Sequence, residues 1–229
     1  MIVSQQSVEK VILMDAWLKL LRQHKAIAVI RCDDFNLAYN MAQAVAAAGM
    51  NLIEITWNSD RPAQLIAQLR ADLPHCTIGT GTILDLNQLS TAVDAGAQFA
   101  FSPCFDARLL ETCLSHYEIP FMPGVFSPTE AVNAWQHGAQ AVKVFPIKSL
   151  GGAEYIRCLQ GPLSHIPLIP TGGVTVENAV KMIEAGAIAV GISSNLFPTS
   201  AIANQEWSQI TERTKVMLDQ LQITELSES

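Results

Sequence analysis

The sequence predicts an α/β fold, a (β/α)8 TIM barrel with an extra N-terminal helix, from a repeated helix–glycine–strand pattern, eight apolar strand candidates and the helical patterns between them. Four stretches show the repeat: AAAGMNLIEIT (46–56), DAGAQFAFSP (94–103), QHGAQAVKVFP (136–146) and EAGAIAVGIS (184–193). Glycine is favoured just after a helix because the chain there often needs a positive φ. The repeat glycines lie far enough apart that each interval should hold two strand–helix units.

The eight strand candidates are short apolar runs: IAVIR (27–31), LIEITW (52–57), TIGTGT (77–82), FAFSP (99–103), PFMPG (120–124), AVKVFP (141–146), PLIPTGG (167–173) and AIAVGIS (187–193). Apolar strands that alternate with helices indicate a parallel sheet covered on both faces. Eight such units in about 200 residues favour the (β/α)8 barrel. A doubly wound open sheet is the alternative, and the absence of GxGxxG after the first strand argues against it.

We expect a single domain over residues 1–229. The extra helix covers about 7–24. Charged residues occur among the apolar ones there in an amphipathic pattern, which differs from the uninterrupted apolar core of a signal peptide. The barrel covers about 27–220, and the polar tail ITELSES (223–229) is expected to fray.

Composition restricts the class of function. The net charge is −7, the pI is about 5.2, and no basic stretch is interleaved with aromatic residues, which argues against nucleic-acid binding. No apolar run is long enough for a membrane span. The five cysteines are scattered, so we expect reduced thiols and a cytoplasmic protein. No His/Cys spacing suits a metal, and we expect neither a metal nor another cofactor.

Two ionisable residues interrupt apolar strands: Glu54 in LIEIT and Lys143 in AVKVF. Side chains alternate along a strand, so both can point into the barrel and approach each other. One interpretation is a buried ion pair that fixes the packing. The other is covalent catalysis, in which a desolvated, neutral lysine attacks a ketone to form a Schiff base while the carboxylate moves protons.

A phosphate site is predicted after the seventh and eighth strands, in PTGGV (170–174) and GISSN (191–195). The loops in this position commonly bind phosphate in barrel enzymes. Gly172 and Gly173 lack a Cβ, so backbone N–H groups can approach phosphate oxygens, and Ser193 or Ser194 adds a hydroxyl. A plain glycine turn is the alternative.

In their order and spacing, LIEIT, IGTGT, GAQFAFSP, PFMPGVFSPTEA, VKVFPIKSLGG, PTGGV and GISS resemble the 2-keto-3-deoxy-6-phosphogluconate (KDPG) aldolase family, also known as 4-hydroxy-2-oxoglutarate aldolase. The resemblance runs over about residues 15–215. It implies a homotrimeric (β/α)8 class I aldolase that cleaves KDPG, a phosphorylated keto-acid, to pyruvate and glyceraldehyde 3-phosphate without a cofactor.

The resemblance also assigns roles to individual residues. Lys143 corresponds to the Schiff-base lysine and Glu54 to the general acid/base. Thr82 corresponds to a threonine that helps hold the pyruvate carboxylate. The remaining substrate-binding residues implied by the resemblance are Arg31, Gly172, Gly173 and Ser194.

Several other functions remain open at this stage. The galactonate-derived isomer and 4-hydroxy-2-oxoglutarate are alternative substrates, and oxaloacetate decarboxylation is a plausible side activity of the same imine. Outside this chemistry, the alternatives are a phosphosugar isomerase or synthase barrel without covalent catalysis and a non-enzymatic phosphate-ligand binder.

One position departs from the family pattern. The family usually reads EVTLR, with an arginine that contacts the carboxylate, whereas this chain reads EITWN and places Asn58 there. An amide cannot form a bidentate, charge-assisted pair with a carboxylate. Two outcomes follow: either Arg61 or Arg31 supplies the missing charge, or pyruvate-type substrates bind weakly or the substrate differs.

Overall fold

In a computed structural model, the backbone of residues 5–226 and the side chains of residues 15–222 are described. The strands are β1 Ala26–Ile30, β2 Leu52–Thr56, β3 Thr77–Gly81, β4 Ala100–Phe101, β5 Phe121–Met122, β6 Gly124–Val125, β7 Val142–Val144, β8 Leu168–Pro170 and β9 Val190–Ile192. The helices are α1 Gln5–His24, α2 Phe35–Ala47, α3 Pro62–Asp72, α4 Leu86–Asp94, α5 Ala107–Thr112, α6 Pro128–Gln136, α7 Ile147–Leu150, α8 Ala153–Leu163, α9 Ala179–Glu184, α10 Thr199–Ala203 and α11 Trp207–Leu226, with a π-helical turn Cys113–Tyr117 after α5.

The strands pair in parallel, as predicted for an α/β fold. One sheet has the order β5-β4-β3-β2-β1-β9 and the other the order β6-β7-β8. A parallel bridge between Thr171 and Gly191 and a hydrogen bond from Ile188 N to Leu168 O (3.0 Å) connect β8 to β9. The sheets are therefore linked at this edge, and the chain continues directly from β5 into β6.

Each of the eight strand candidates contains a strand, but the fifth candidate is divided into β5 and β6 at Pro123. Proline has no N–H to donate to a ladder, so pairing is interrupted there. Gly124 follows because the backbone of Pro103 lies so close that a Cβ at this position would be 2.2 Å from its carbonyl carbon.

The repeat glycines fulfil the predicted role after the helices. Gly49, Gly96, Gly138 and Gly186 have φ values of 94°, 93°, 96° and 106°. Each backbone N–H also bonds a carbonyl three residues earlier, as in Gly49 N to Ala46 O at 2.9 Å. The repeat in the sequence therefore marks four of the places where a helix turns back into a strand.

Apolar side chains fill two layers, one inside the curved sheet and one between the sheet and the helices. Ile53 and Ile55 belong to the outer layer, whereas Leu52 belongs to the inner layer. Trp17 of α1 enters the inner layer, where its ring stacks on Phe99 with centroids 4.8 Å apart. The first helix thus packs under one end of the inner layer, and the opposite end is left for polar residues.

The C-terminal tail 223–229 is expected to fray, and its first four residues lie in the last turn of helix α11. Helix α11 continues to Leu226, and residues 227–229 lie outside the described residues. Ile210, Thr214, Met217 and Leu221 are all buried on one side of this helix. The i, i+3/i+4 spacing of that face holds α11 against the rest of the molecule and lets the helix extend into the polar sequence.

Three features bear on location and cofactors. All five cysteines are unpaired. Between residues 5 and 226, no helix combines the length and hydropathy needed to cross a bilayer. Within the part of the chain whose side chains are described, no three His, Cys, Asp or Glu residues lie together as a set of metal ligands.

Candidate active site

The two ionisable strand residues meet inside the curved sheet. Lys143 is the middle residue of β7, and Glu54 is the middle residue of β2. Each lies two positions after an inner-layer residue, Ala141 or Leu52, and therefore shares its face of the sheet. Their side chains are 6% and 2% exposed, and Lys143 Nζ lies 3.8 Å from Glu54 Oε1. Sequence alternation therefore predicted this contact correctly.

The pair is close but incompletely satisfied. A separation of 3.8 Å exceeds the length of a hydrogen bond, and Glu54 Oε1 has no hydrogen-bond partner among the described residues. Buried polar atoms in native proteins are usually paired, and an exception requires an explanation. An amine and a carboxylate oxygen with a gap between them are arranged to share a proton or a bound group.

Two aromatic rings flank the amine. Lys143 Nζ lies 5.4 Å from the ring centroids of both Phe101 and Phe145. The quadrupoles of these aromatic faces favour a cation. The site can therefore accommodate a cationic imine at the Lys143 nitrogen.

The electrostatics of Glu54 reflect its burial. Desolvation raises the pKa of the Glu54 carboxyl above its ordinary value, while the charges of Lys143 and Arg31 act in the opposite direction. Because burial is the largest cause, the carboxyl keeps its proton to higher pH than an exposed glutamate does. A group that can hold and release a proton beside a buried amine is suited to general acid/base chemistry.

A cavity of about 440 Å³ opens above the pair, on the side where the parallel strands end. Six of the seven predicted site residues line it: Arg31, Thr82, Lys143, Gly172, Gly173 and Ser194. Glu54, the seventh, is not among the lining residues but contacts Lys143, which is. A larger surface groove of about 790 Å³ runs along α11, but none of the predicted site residues lines it, so we assign the site to the smaller cavity.

Thr82 occupies an unusual backbone conformation at the edge of this cavity. Its φ is 60°, in the left-handed region that β-branched residues rarely adopt. Such strain is tolerated where the surrounding structure imposes it, and it concentrates at functional sites. The conformation gives Thr82 an orientation at the cavity that no standard strand or helix position would provide.

The loops after β8 and β9 form the opposite end of the cavity. Gly172 and Gly173 have φ values of 81° and 102°, and each is crowded. A Cβ on Gly172 would lie 2.9 Å from the Phe145 ring, and one on Gly173 would lie 2.3 Å from Lys148 Cβ. The positive φ values and this crowding favour glycine at both positions.

The two arginines proposed to replace the missing family arginine differ in position. Arg31 lines the cavity, whereas the guanidinium of Arg61 lies 4.5 Å over the Phe35 ring and pairs with Asp60 at 3.1 Å. Asn58 is exposed and does not line this cavity. Of the two candidates, only Arg31 is placed to meet a carboxylate here.

Gly81 is a site residue that the sequence analysis did not assign. A Cβ on Gly81 would lie 1.7 Å from Glu54 Oε1, so the carboxylate occupies space that only glycine leaves free. The signal was present in TIGTG, where glycine alternates on the face that meets Glu54 on the neighbouring strand. Phe101 and Phe145 were likewise missed, because aromatic residues in apolar strands look like ordinary core.

Gly81→Ala is therefore expected to displace the Glu54 carboxylate and to lower kcat by about 10²-fold, since misplacement by about 1 Å has effects of this size. Steady-state kinetics would measure it, with Gly161→Ala as the control because a Cβ there meets nothing within 4 Å. A kcat within twofold of wild type for Gly81→Ala would show that the reaction rate does not depend on the position of the Glu54 carboxylate.

Together, the parallel fold and the site define an α/β enzyme with a buried amine–carboxylate pair below a glycine-lined cavity. Comparisons with known proteins agree with this class. The family model described as "KDPG and KHG aldolase" matches residues 18–213. The chain belongs to the KDPG and KHG aldolase family and is an aldolase, a carbon–carbon lyase.

Individual relatives cover most of the chain. It is 31% identical to the 2-dehydro-3-deoxy-phosphogluconate aldolase of Treponema pallidum over 191 residues, covering 83% of this chain and 90% of the relative. It is 30% identical to the enzyme of the same name from Pseudomonas aeruginosa over 200 residues, covering 87% and 90%. A crystal structure of KDPG aldolase from Legionella pneumophila, with pyruvate captured as a covalent carbinolamine, superposes with a TM-score of 0.80 at 29% identity, covering 87% of this chain and 97% of that one.

Proposed function

We propose that this aldolase is a class I, Schiff-base enzyme that cleaves 2-keto-3-deoxy-6-phosphogluconate to pyruvate and glyceraldehyde 3-phosphate. The observation that carries the proposal is the buried Lys143–Glu54 pair, with 3.8 Å between its atoms and one unpartnered carboxylate oxygen. The names of the curated relatives support the substrate, and the carbinolamine in the Legionella relative supports the covalent chemistry.

The reaction begins at the Lys143 nitrogen. The neutral amine adds to the C2 ketone to give a carbinolamine, and loss of water gives the imine. Glu54, 3.8 Å away, supplies the proton that leaves with the carbinolamine oxygen as water. The imine then carries the positive charge that the next step needs.

Carbon–carbon cleavage follows from the imine as electron sink. Removal of the C4 hydroxyl proton by the Glu54 carboxylate breaks the C3–C4 bond, and its electron pair moves into the imine to give an enamine. The aldehyde, glyceraldehyde 3-phosphate, departs. Protonation of the enamine at C3 and hydrolysis of the resulting imine release pyruvate and restore the free amine.

The two ends of the substrate are held at different sides of the cavity. Gly172, Gly173 and Ser194 would hold the phosphate through backbone N–H groups and a hydroxyl. Arg31 and Thr82 would hold the carboxylate, and this assignment for Arg31 is supported by the outward contacts of Arg61 with Phe35 and Asp60.

The same imine would serve substrates related to KDPG. Cleavage of 4-hydroxy-2-oxoglutarate to pyruvate and glyoxylate is supported by the family description, which includes KHG aldolase. Decarboxylation of oxaloacetate would use the same electron sink. The galactonate-derived isomer differs from KDPG only in stereochemistry and would use the same phosphate and carboxylate contacts.

The direct test is a turnover assay with purified protein and KDPG, coupled to reduction of the released pyruvate. We expect steady release of pyruvate and glyceraldehyde 3-phosphate in equal amounts without added metal. Parallel assays with the galactonate isomer and 4-hydroxy-2-oxoglutarate rank the substrates. Absence of pyruvate from all three would contradict the proposal and favour an isomerase or synthase function, or simple ligand binding.

We further propose that the strands close into one (β/α)8 barrel over about 27–220, with α1 as an extra N-terminal helix of the same single domain. The Thr171–Gly191 bridge and the direct continuation of β5 into β6 support closure. A cytoplasmic location is supported by the unpaired cysteines.

A homotrimer is proposed on the family resemblance. Leu84, Leu86 and Phe126 are 52%, 42% and 47% exposed, which supports burial of apolar surface between subunits. Sedimentation velocity at micromolar concentration should give a trimer. A monomer under these conditions would contradict the assignment.

A further inference from the structure

The loops after β8 and β9 are connected by a side chain that does not itself line the cavity. Asn195, the residue after Ser194, accepts a hydrogen bond through Oδ1 from Val176 N at 2.8 Å. The first loop is also held internally, because Asn178 Nδ2 donates to Gly173 O at 3.2 Å. Asn195 therefore fixes the position of one loop relative to the other.

Arg213 of α11 holds Asn195 from behind. Its Nε donates to Asn195 O at 2.7 Å, and its Nη2 donates to Asn195 Oδ1 at 2.8 Å. Nη2 also lies 3.2 Å from Glu177 Oε1, which belongs to the first loop. The planar guanidinium thus contacts both loops, and its paired donors leave Asn195 a single side-chain orientation.

These contacts are not needed to attach α11 to the molecule. Ile210, Met217 and Leu221 are at most 1% exposed, and Thr211 Oγ1 donates to Ala44 O at 2.9 Å. An apolar face of this size holds a helix without help from one partly exposed arginine. The guanidinium therefore has its main effect on the loops.

We propose that Arg213 and Asn195 are positioning residues that set the separation of the loops carrying Gly172, Gly173 and Ser194, and thereby the affinity for the phosphate end of the substrate. The inference rests on the proposed function for the identity of this end of the cavity. A phosphate held by backbone N–H groups needs donors at fixed distances from its oxygens, because backbone donors cannot follow a displaced ligand as a long side chain can. Arg213 acts only through Asn195 and Glu177.

The test compares phosphorylated and unphosphorylated ligands in two variants. Arg213→Lys keeps the positive charge but loses the two parallel hydrogen bonds to Asn195. Arg213→Met removes the charge as well as the hydrogen bonds. We expect KM for KDPG to rise about tenfold in Arg213→Lys and further in Arg213→Met, with kcat within about twofold of wild type. The rate of borohydride-trapped adduct formation with pyruvate, which has no phosphate, should not change.

Arg157→Met is the matched control, because Arg157 is exposed and pairs only with Glu154 on its own helix, at 2.9 Å. It should leave both measurements unchanged. Equal losses for KDPG and pyruvate in the Arg213 variants would indicate a general structural role and overturn the proposal. Wild-type kinetics in Arg213→Lys would also overturn it, since charge alone would then suffice.

Binding of inorganic phosphate, followed by ³¹P NMR titration, separates this inference from the proposed function. It requires no turnover. If wild type cleaved no keto-acid, the proposed function would fail, yet weaker phosphate binding in Arg213→Lys than in wild type and Arg157→Met would still support the positioning role. Equal phosphate binding in all three proteins would overturn that role.

Discussion

Replacing Lys143 by methionine is expected to lower kcat/KM for KDPG by about 10⁴-fold or more, because removal of the nucleophile leaves only binding and orientation to assist cleavage. Methionine fills a similar volume between Phe101 and Phe145, whose ring centroids lie 5.4 Å from the amine. Coupled pyruvate release measures the effect. Lys181→Met, at an exposed lysine of α9, is the control and should retain wild-type activity.

The fold should survive this substitution. Breaking a buried ion pair normally leaves an uncompensated charge. Here burial already raises the pKa of the Glu54 carboxyl, so the group can take a proton once the amine is absent. Circular dichroism and thermal unfolding would show whether the Lys143→Met protein is folded. Activity within tenfold of wild type in a folded Lys143→Met protein would contradict covalent catalysis at this residue.

Glu54→Gln is expected to lower kcat by about 10²- to 10⁴-fold, the range for loss of a positioned general acid/base. Glutamine keeps the shape beside Gly81 but cannot move a proton. The pyruvate adduct on Lys143 should still form, more slowly, because the amine remains. Glu154→Gln, at an exposed glutamate, is the control. Unchanged kcat in Glu54→Gln would remove Glu54 from the reaction.

The same variant has a pH signature in stability. The folded-state pKa of Glu54 is raised, so the folded protein retains a proton that the unfolded chain releases. The contribution of this group to stability is therefore full below its ordinary pKa and is lost as pH rises through the raised value. Urea unfolding at several pH values should show this decline in wild type and not in Glu54→Gln. If the free energy of unfolding depended on pH in the same way in both proteins, burial would not raise the pKa of Glu54.

Much of the site follows from local sequence because it depends on strand alternation. Lys143 and Glu54 each interrupt an apolar run, and period-two alternation places both on the inner face. The placement of Gly172 and Gly173 at the cavity could be predicted because a glycine pair after a strand is a local signal.

Features that depend on distant contacts could not be predicted. Arg213 lies 18 residues from Asn195 in the chain, and no spacing rule connects an arginine on a C-terminal helix with a loop asparagine. The left-handed conformation of Thr82 is also absent from the sequence pattern, since threonine disfavours it. The division of the fifth strand at Pro123 could be predicted only in part. The sequence shows the proline, but it does not show the close approach of Pro103 that requires Gly124.

The central claim is that the buried Lys143 is the nucleophile that forms the Schiff base. The measurement that tests it most directly is incubation with pyruvate, reduction with borohydride, and location of the adduct by peptide mass spectrometry. We expect a reduced pyruvyl adduct on Lys143, which would also show that pyruvate binds with Asn58 in place of the family arginine. A folded, unmodified protein, or an adduct only on other lysines, would contradict the account.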